Sequence, residues 1–149
     1  MKEEAYPYDQ TKVNNYFFIS VGKRRIVKHV AFTPIGVGNL VNMGFGDMLP
    51  GGAVNDKTNS NNGDMVRVLA TMVQILLDFT ARSPDTEVFF IGSTDERTKL
   101  YSRIIRTYYR TFSKNFRINV LVAEGINLIE IPFESGANME FFGFLIKRI

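Results

Sequence analysis

The stretch that most restricts the fold covers residues 87–117, EVFFIGSTDERTKLYSRIIRTYYRTFSKNFR. Residues 87–91 form a short apolar run of the kind that sits in a sheet with both faces covered. Gly92 and Ser93 then break the chain, and the periodicity changes from strand to helix over residues 94–114. At about 100° per residue, Leu100, Tyr101, Ile104, Ile105, Tyr108 and Phe112 gather on one side. Lys99, Arg103, Arg106, Arg110 and Lys114 gather on the other. An apolar helical stripe must be buried against another layer, and the adjoining strand supplies one.

The rest of the chain extends that sheet. Residues 16–20 and 25–33 are rich in β-branched and aromatic side chains and read as strands joined by a turn at Val21-Gly22-Lys23-Arg24. Pro34 ends the second, because it has no amide to give a ladder. A weaker strand is expected at 39–45, and further strands at 118–123, 127–132 and 141–147. Residues 46–63 are punctuated by Gly, Asn, Asp and Pro, a long connection for a compact domain. A first helix is expected over 64–82, where Met65, Val66, Leu69, Met72, Val73, Leu76 and Phe79 keep helical spacing. Asn61 and Asn62 offer capping oxygens to it, and Asp64 sits at the favourable end of its dipole. The order β-β-β-α-β-α-β-β-β implies a single α+β domain over residues 1–149. Its expected form is a mixed or mainly antiparallel sheet with two long helices packed on one face, and a crossover from strand 87–91 to strand 118–123.

Charge is distributed unevenly. The 149 residues carry 18 Lys and Arg against 15 Asp and Glu, but residues 97–117 hold seven of the cations and no acid. Without them the remainder is net acidic. Five cations along one helix face suit a polyanion such as a nucleic-acid backbone, or an acidic protein partner. The plainer account is a solvated face whose Lys and Arg stems cover apolar surface. Arg97 stands apart, in the first turn and in the middle of the apolar face. A cation there calls for an anion. Either a carboxylate such as Asp47 or Asp64 pairs with it, or Arg97 joins the free amides of Ser93 and Thr94 in holding an anionic ligand at the strand-to-helix turn. Ser93 and Glu96 also fit a capping box.

Several chemistries are excluded. With no cysteine there are no disulfides, thiolate nucleophiles or Cys-ligated metals. With His29 as the sole histidine there is no multi-His metal site, and Ser93 has no evident base. His29 alternates with Arg25, Val27 and Ala31 and reads as a sheet-surface residue. Gly36-Val37-Gly38 lacks the third glycine and the helix of a dinucleotide loop. The TNSNNGD stretch lacks the leading Asp and the bidentate Glu of a calcium loop. Asp47, Asp56 and Asp64 could gather round magnesium, but their spacing is not diagnostic. No cofactor is therefore expected. No signal-peptide core or membrane-length apolar run is visible, which makes the cytoplasm the expected location and a membrane role unexpected.

Asn42-Met43-Gly44-Phe45-Gly46-Asp47, Ser60-Asn61-Asn62-Gly63-Asp64, Ile91-Gly92-Ser93-Thr94 with Arg97-Thr98 and Leu100-Tyr101, and Pro132-Phe133-Glu134 with Phe144-Leu145-Ile146-Lys147-Arg148 occur in this order. Through them nearly the whole chain resembles a family of small bacterial proteins classified only as a domain of unknown function. The resemblance implies a fold and no mechanism. It also implies that Asp47, Asn62, Asp64, Ser93, Thr94 and Arg97 belong to one pattern. Two functions are consistent with these features. One is a binding module that uses the basic helix face. The other is a small toxin-like enzyme or sensor that takes a phosphate-bearing ligand at the Ser93–Arg97 turn. A structural, self-associating protein is a third.

Overall fold

A computed structural model describes residues 4–48, 54–55, 62–91, 95–107, 109–134 and 141–149. Among them the chain runs β1 (Tyr8–Lys12), β2 (Asn15–Val21), β3 (Arg25–Pro34), β4 (Leu40–Met48), β5 (Val54–Asn55), α1 (Met65–Arg82) and β6 (Glu87–Phe90). It continues through α2 (Asp95–Thr107), α3 (Tyr109–Phe112), β7 (Phe116–Glu124), β8 (Asn127–Pro132) and β9 (Gly143–Arg148). The strands hydrogen-bond in the order β1-β2-β3-β4-β6-β9-β7-β8, and β5 pairs with β4. The sheet is mixed, since β4 and β6 run parallel while β6 and β7 each run antiparallel to β9.

This corrects the expected sheet with two long helices on one face. The sheet dominates, and of the helix expected over 94–114 the described residues are α2 and α3, residue 108 between them lying outside the described residues. Two strands were also missed. β1 is polar and exposed and carries no alternation to read, and β5 is two residues long.

The chain forms two compact units that interleave in sequence: residues 1–33 with 43–83, and 34–42 with 84–149. In the first, Tyr16, Phe18 and Ser20 of β2 and Lys28, Val30 and Phe32 of β3 alternate inward. Helix α1 lays Leu69, Met72, Ile75, Leu76 and Phe79 on that face, with the Phe32 and Phe79 rings stacked at 3.9 Å. Each such fully buried side chain contributes about 1.5–3 kcal/mol. In the second unit, β9 lies between β6 and β7 and pairs with both. The expected crossover from strand 87–91 to strand 118–123 therefore spans a gap that the last strand fills. Val88, Phe90, Phe144, Ile146, Ile118, Val120 and Val122 are buried, and Tyr101 of α2 meets Phe90 at 4.7 Å.

Candidate functional site

The first unit gathers polar side chains where the chain turns into α1. Asp64 is the residue preceding the helix, but its carboxylate makes no capping bond to the helix. It accepts instead from the Tyr6 hydroxyl at 2.5 Å and the Ser20 hydroxyl at 2.6 Å. Asn62, expected as a cap, also turns away from the helix. Its amide nitrogen donates to the Ser20 hydroxyl at 2.9 Å and the Arg24 carbonyl at 2.8 Å, and its side-chain oxygen accepts the Arg24 amide at 2.7 Å. Its backbone carbonyl accepts the Lys23 amide at 2.9 Å. Asn62 thus acts as a fourth edge for the β2–β3 turn.

Tyr6 holds the other side. Its hydroxyl accepts the Val21 amide at 3.0 Å, and its own amide donates to Thr71 at 2.8 Å. The Arg67 guanidinium lies 3.9 Å over its ring. Burial and the neighbouring Asp64 carboxylate raise the Tyr6 phenol above its ordinary value, so the proton stays on the hydroxyl that donates it. Ser20 is completely buried, and no buried polar side-chain atom lacks a partner among the described residues. A serine beside a carboxylate could suggest nucleophilic chemistry. Here the hydroxyl is saturated and out of reach of solvent, so the arrangement fastens α1 to the hairpin.

Asp47 belongs to a separate buried pair. Lys28 and Asp47 form an ion pair with side-chain exposures of 5% and 9%. The Lys28 ammonium also lies 5.5 Å from the centre of the Phe45 ring. A buried pair of this kind offsets a large desolvation cost and adds little net stability, but losing either member leaves a charge stranded. Lys28, Tyr6 and Ser20 were all missed in the sequence. Lys28 had a readable signal: it is in phase with Val30 and Phe32, so it had to point inward.

The second unit carries the basic face. Lys99, Arg103, Arg106, Arg110 and Lys114 are all exposed. Thr98, Tyr101, Ile105 and Phe112, from the same segment, are between 6% and 8% exposed. Ser93 and Thr94 lie outside the described residues, as does the side chain of Arg97, although its backbone belongs to α2. Of the six residues expected to form one pattern, the structure joins Asn62 to Asp64 through Ser20 and gives Asp47 to Lys28. Among the described residues no three acidic or histidine side chains are grouped to hold a metal, and no helix is long and apolar enough to cross a membrane.

A family model, DUF6934, described as a family of unknown function, matches residues 2–149. No curated protein and no solved structure matches the chain.

Proposed function

We propose that this chain, which belongs to the family of unknown function DUF6934, is a binding module whose basic face on α2 and α3 takes nucleic acid. The observation that carries this reading is the division of one segment: five cations stand exposed while the intervening Thr98, Tyr101, Ile105 and Phe112 are buried. The helix is held by its apolar side, and the charged side faces solvent. Along α2 the charges recur every three or four residues, about 5–6 Å apart, which suits a polymer with regularly repeated negative charge. If all five engage phosphates, the log–log dependence of affinity on salt has a slope of about −4 to −5.

Fluorescence anisotropy with labelled single-stranded RNA, single-stranded DNA and duplex DNA tests this. The expected result is binding at low ionic strength with that slope, abolished by Arg103→Glu, Arg106→Glu and Arg110→Glu together, with far-UV circular dichroism confirming that the variant folds. If every nucleic acid fails at low salt while an acidic polypeptide binds, the face belongs to a protein partner. If neither binds, the reading fails.

A further inference from the structure

We infer that the sheet face of the first unit opposite α1 is the interface of a two-fold dimer of this chain. Helix α1 covers the side that carries Tyr16, Phe18, Val30 and Phe32. The residues between them point the other way, and there an apolar surface is exposed. Ile19, Val21 and Val27 are 40%, 49% and 38% exposed. They are contiguous, because the register pairs Phe17 with His29, Ile19 with Val27 and Val21 with Arg25. The Phe17 and His29 rings lie 4.8 Å apart beside them, tilted at 32° to each other. Scattered surface aliphatics need no explanation, but a cross-strand cluster on one face does.

The charges on the same face say what covers it. Asp9 of β1 pairs with Phe17, and Arg25 of β3 pairs with Val21; both are exposed. Ile19 lies midway between them. Asp9 is one strand to one side and two residues back, and Arg25 is one strand to the other side and two residues on. With strands about 4.8 Å apart and about 3.4 Å per residue, each charge is roughly 8 Å from Ile19. A two-fold axis in the plane of contact, passing over Ile19 and perpendicular to the line joining the charges, superposes unlike charges twice. Asp9 of each copy meets Arg25 of the other, Ile19 meets Ile19, and Phe17 meets Val27. Such an isologous contact needs one patch to be complementary to itself, and this register provides it. A nucleic-acid face would not place an acid at one corner and aliphatics at its centre. Three strands of this length span about 20 Å by 15 Å, roughly 300 Å² per copy, well under the area of a stable interface, so the dimer is weak and dissociates on dilution.

Sedimentation velocity of the full chain, over about a hundredfold concentration range, tests the inference. Wild type is expected to pass from monomer to dimer. Ile19→Asp weakens association at least tenfold, and so does Arg25→Asp, which sets like charges over one another. Combining Asp9→Arg with Arg25→Asp restores association to near the wild-type value. Unchanged far-UV circular dichroism confirms that the variants fold, and Val27→Lys substitutes for Ile19→Asp if that chain does not. The inference is overturned by a monomer at every concentration, by a dimer that survives Ile19→Asp, or by a double charge exchange no better than the single one. It is equally overturned if this face binds RNA as a monomer and Ile19→Asp abolishes that binding. The Glu substitutions on α2 and α3 should leave the dimer intact, which separates this result from the nucleic-acid test.

Discussion

Lys28 and Asp47 each neutralise the other's buried charge. Removing one member should therefore cost more than removing both. Lys28→Met strands a buried carboxylate and is expected to lower stability by about 3–5 kcal/mol. Lys28→Met with Asp47→Leu should recover most of that loss, and urea unfolding of the two variants decides the matter. His29 is a second residue with a defined signature. Its ring packs against that of Phe17 at 4.8 Å, and its Nε2 lies 2.9 Å from the Asn15 side-chain oxygen. Burial lowers its pKa below the ordinary 6.5. The fold thus favours the neutral ring: this contribution is complete above pH 6.5 and is lost as pH falls through the folded value. Melting temperatures should drop more between pH 7.5 and 5 in wild type than in His29→Gln. The alternation that marked His29 as a sheet-surface residue was legible in the sequence, and the same alternation made Lys28 an inward residue. The Asp64–Ser20–Tyr6 cluster was not legible, because residues 44 and 58 positions apart meet only once the hairpin and α1 are placed.

At the scale of elements, the β2–β3 turn and the start of α1 form one joint. A β-carbon on Gly22 would fall 1.9 Å from the Asn62 carbonyl oxygen and 2.9 Å from its carbon. That carbonyl accepts the Lys23 amide, so it cannot withdraw without breaking the joint. Gly22→Ala should accordingly destabilise by about 1–3 kcal/mol, as overpacking does. It should also speed amide exchange at Lys23 and Arg24, the two amides that Asn62 receives. Unchanged exchange at both would show that the turn does not depend on Asn62. The turn itself was readable from Val21-Gly22-Lys23-Arg24 between two β-branched runs. Its reliance on glycine for close approach, rather than for an unusual backbone angle, appears only in the folded chain. α2 and α3 teach a complementary lesson. Their phase was legible from spacing alone: Tyr101, Ile105 and Phe112 are buried, while Lys99, Arg103, Arg106 and Arg110 are exposed.

For the whole molecule, the interleaving of the two units has a consequence for folding. β4 serves both: Leu40, Val41 and Asn42 pair with Glu87, Val88 and Phe89 in the second unit, while Met43–Met48 belong to the first. The second unit is therefore not the continuous segment 84–149. Without residues 34–42, β6 keeps only β9 as a neighbour, and the buried Val88 loses the strand that carries Val41. A buried strand with one edge open exposes unpaired backbone groups and apolar surface together. Residues 84–149 expressed alone should consequently fail to fold cooperatively, although they contain α2, α3 and four strands. Thermal unfolding followed by near-UV circular dichroism checks this: a sharp transition would show that the segment is self-sufficient. Adding residues 34–42 as a synthetic peptide should restore part of the transition, because the missing contribution is one parallel strand pairing. If the peptide has no effect on a disordered fragment, the dependence lies in residues 1–33 and 43–83 rather than in the shared strand.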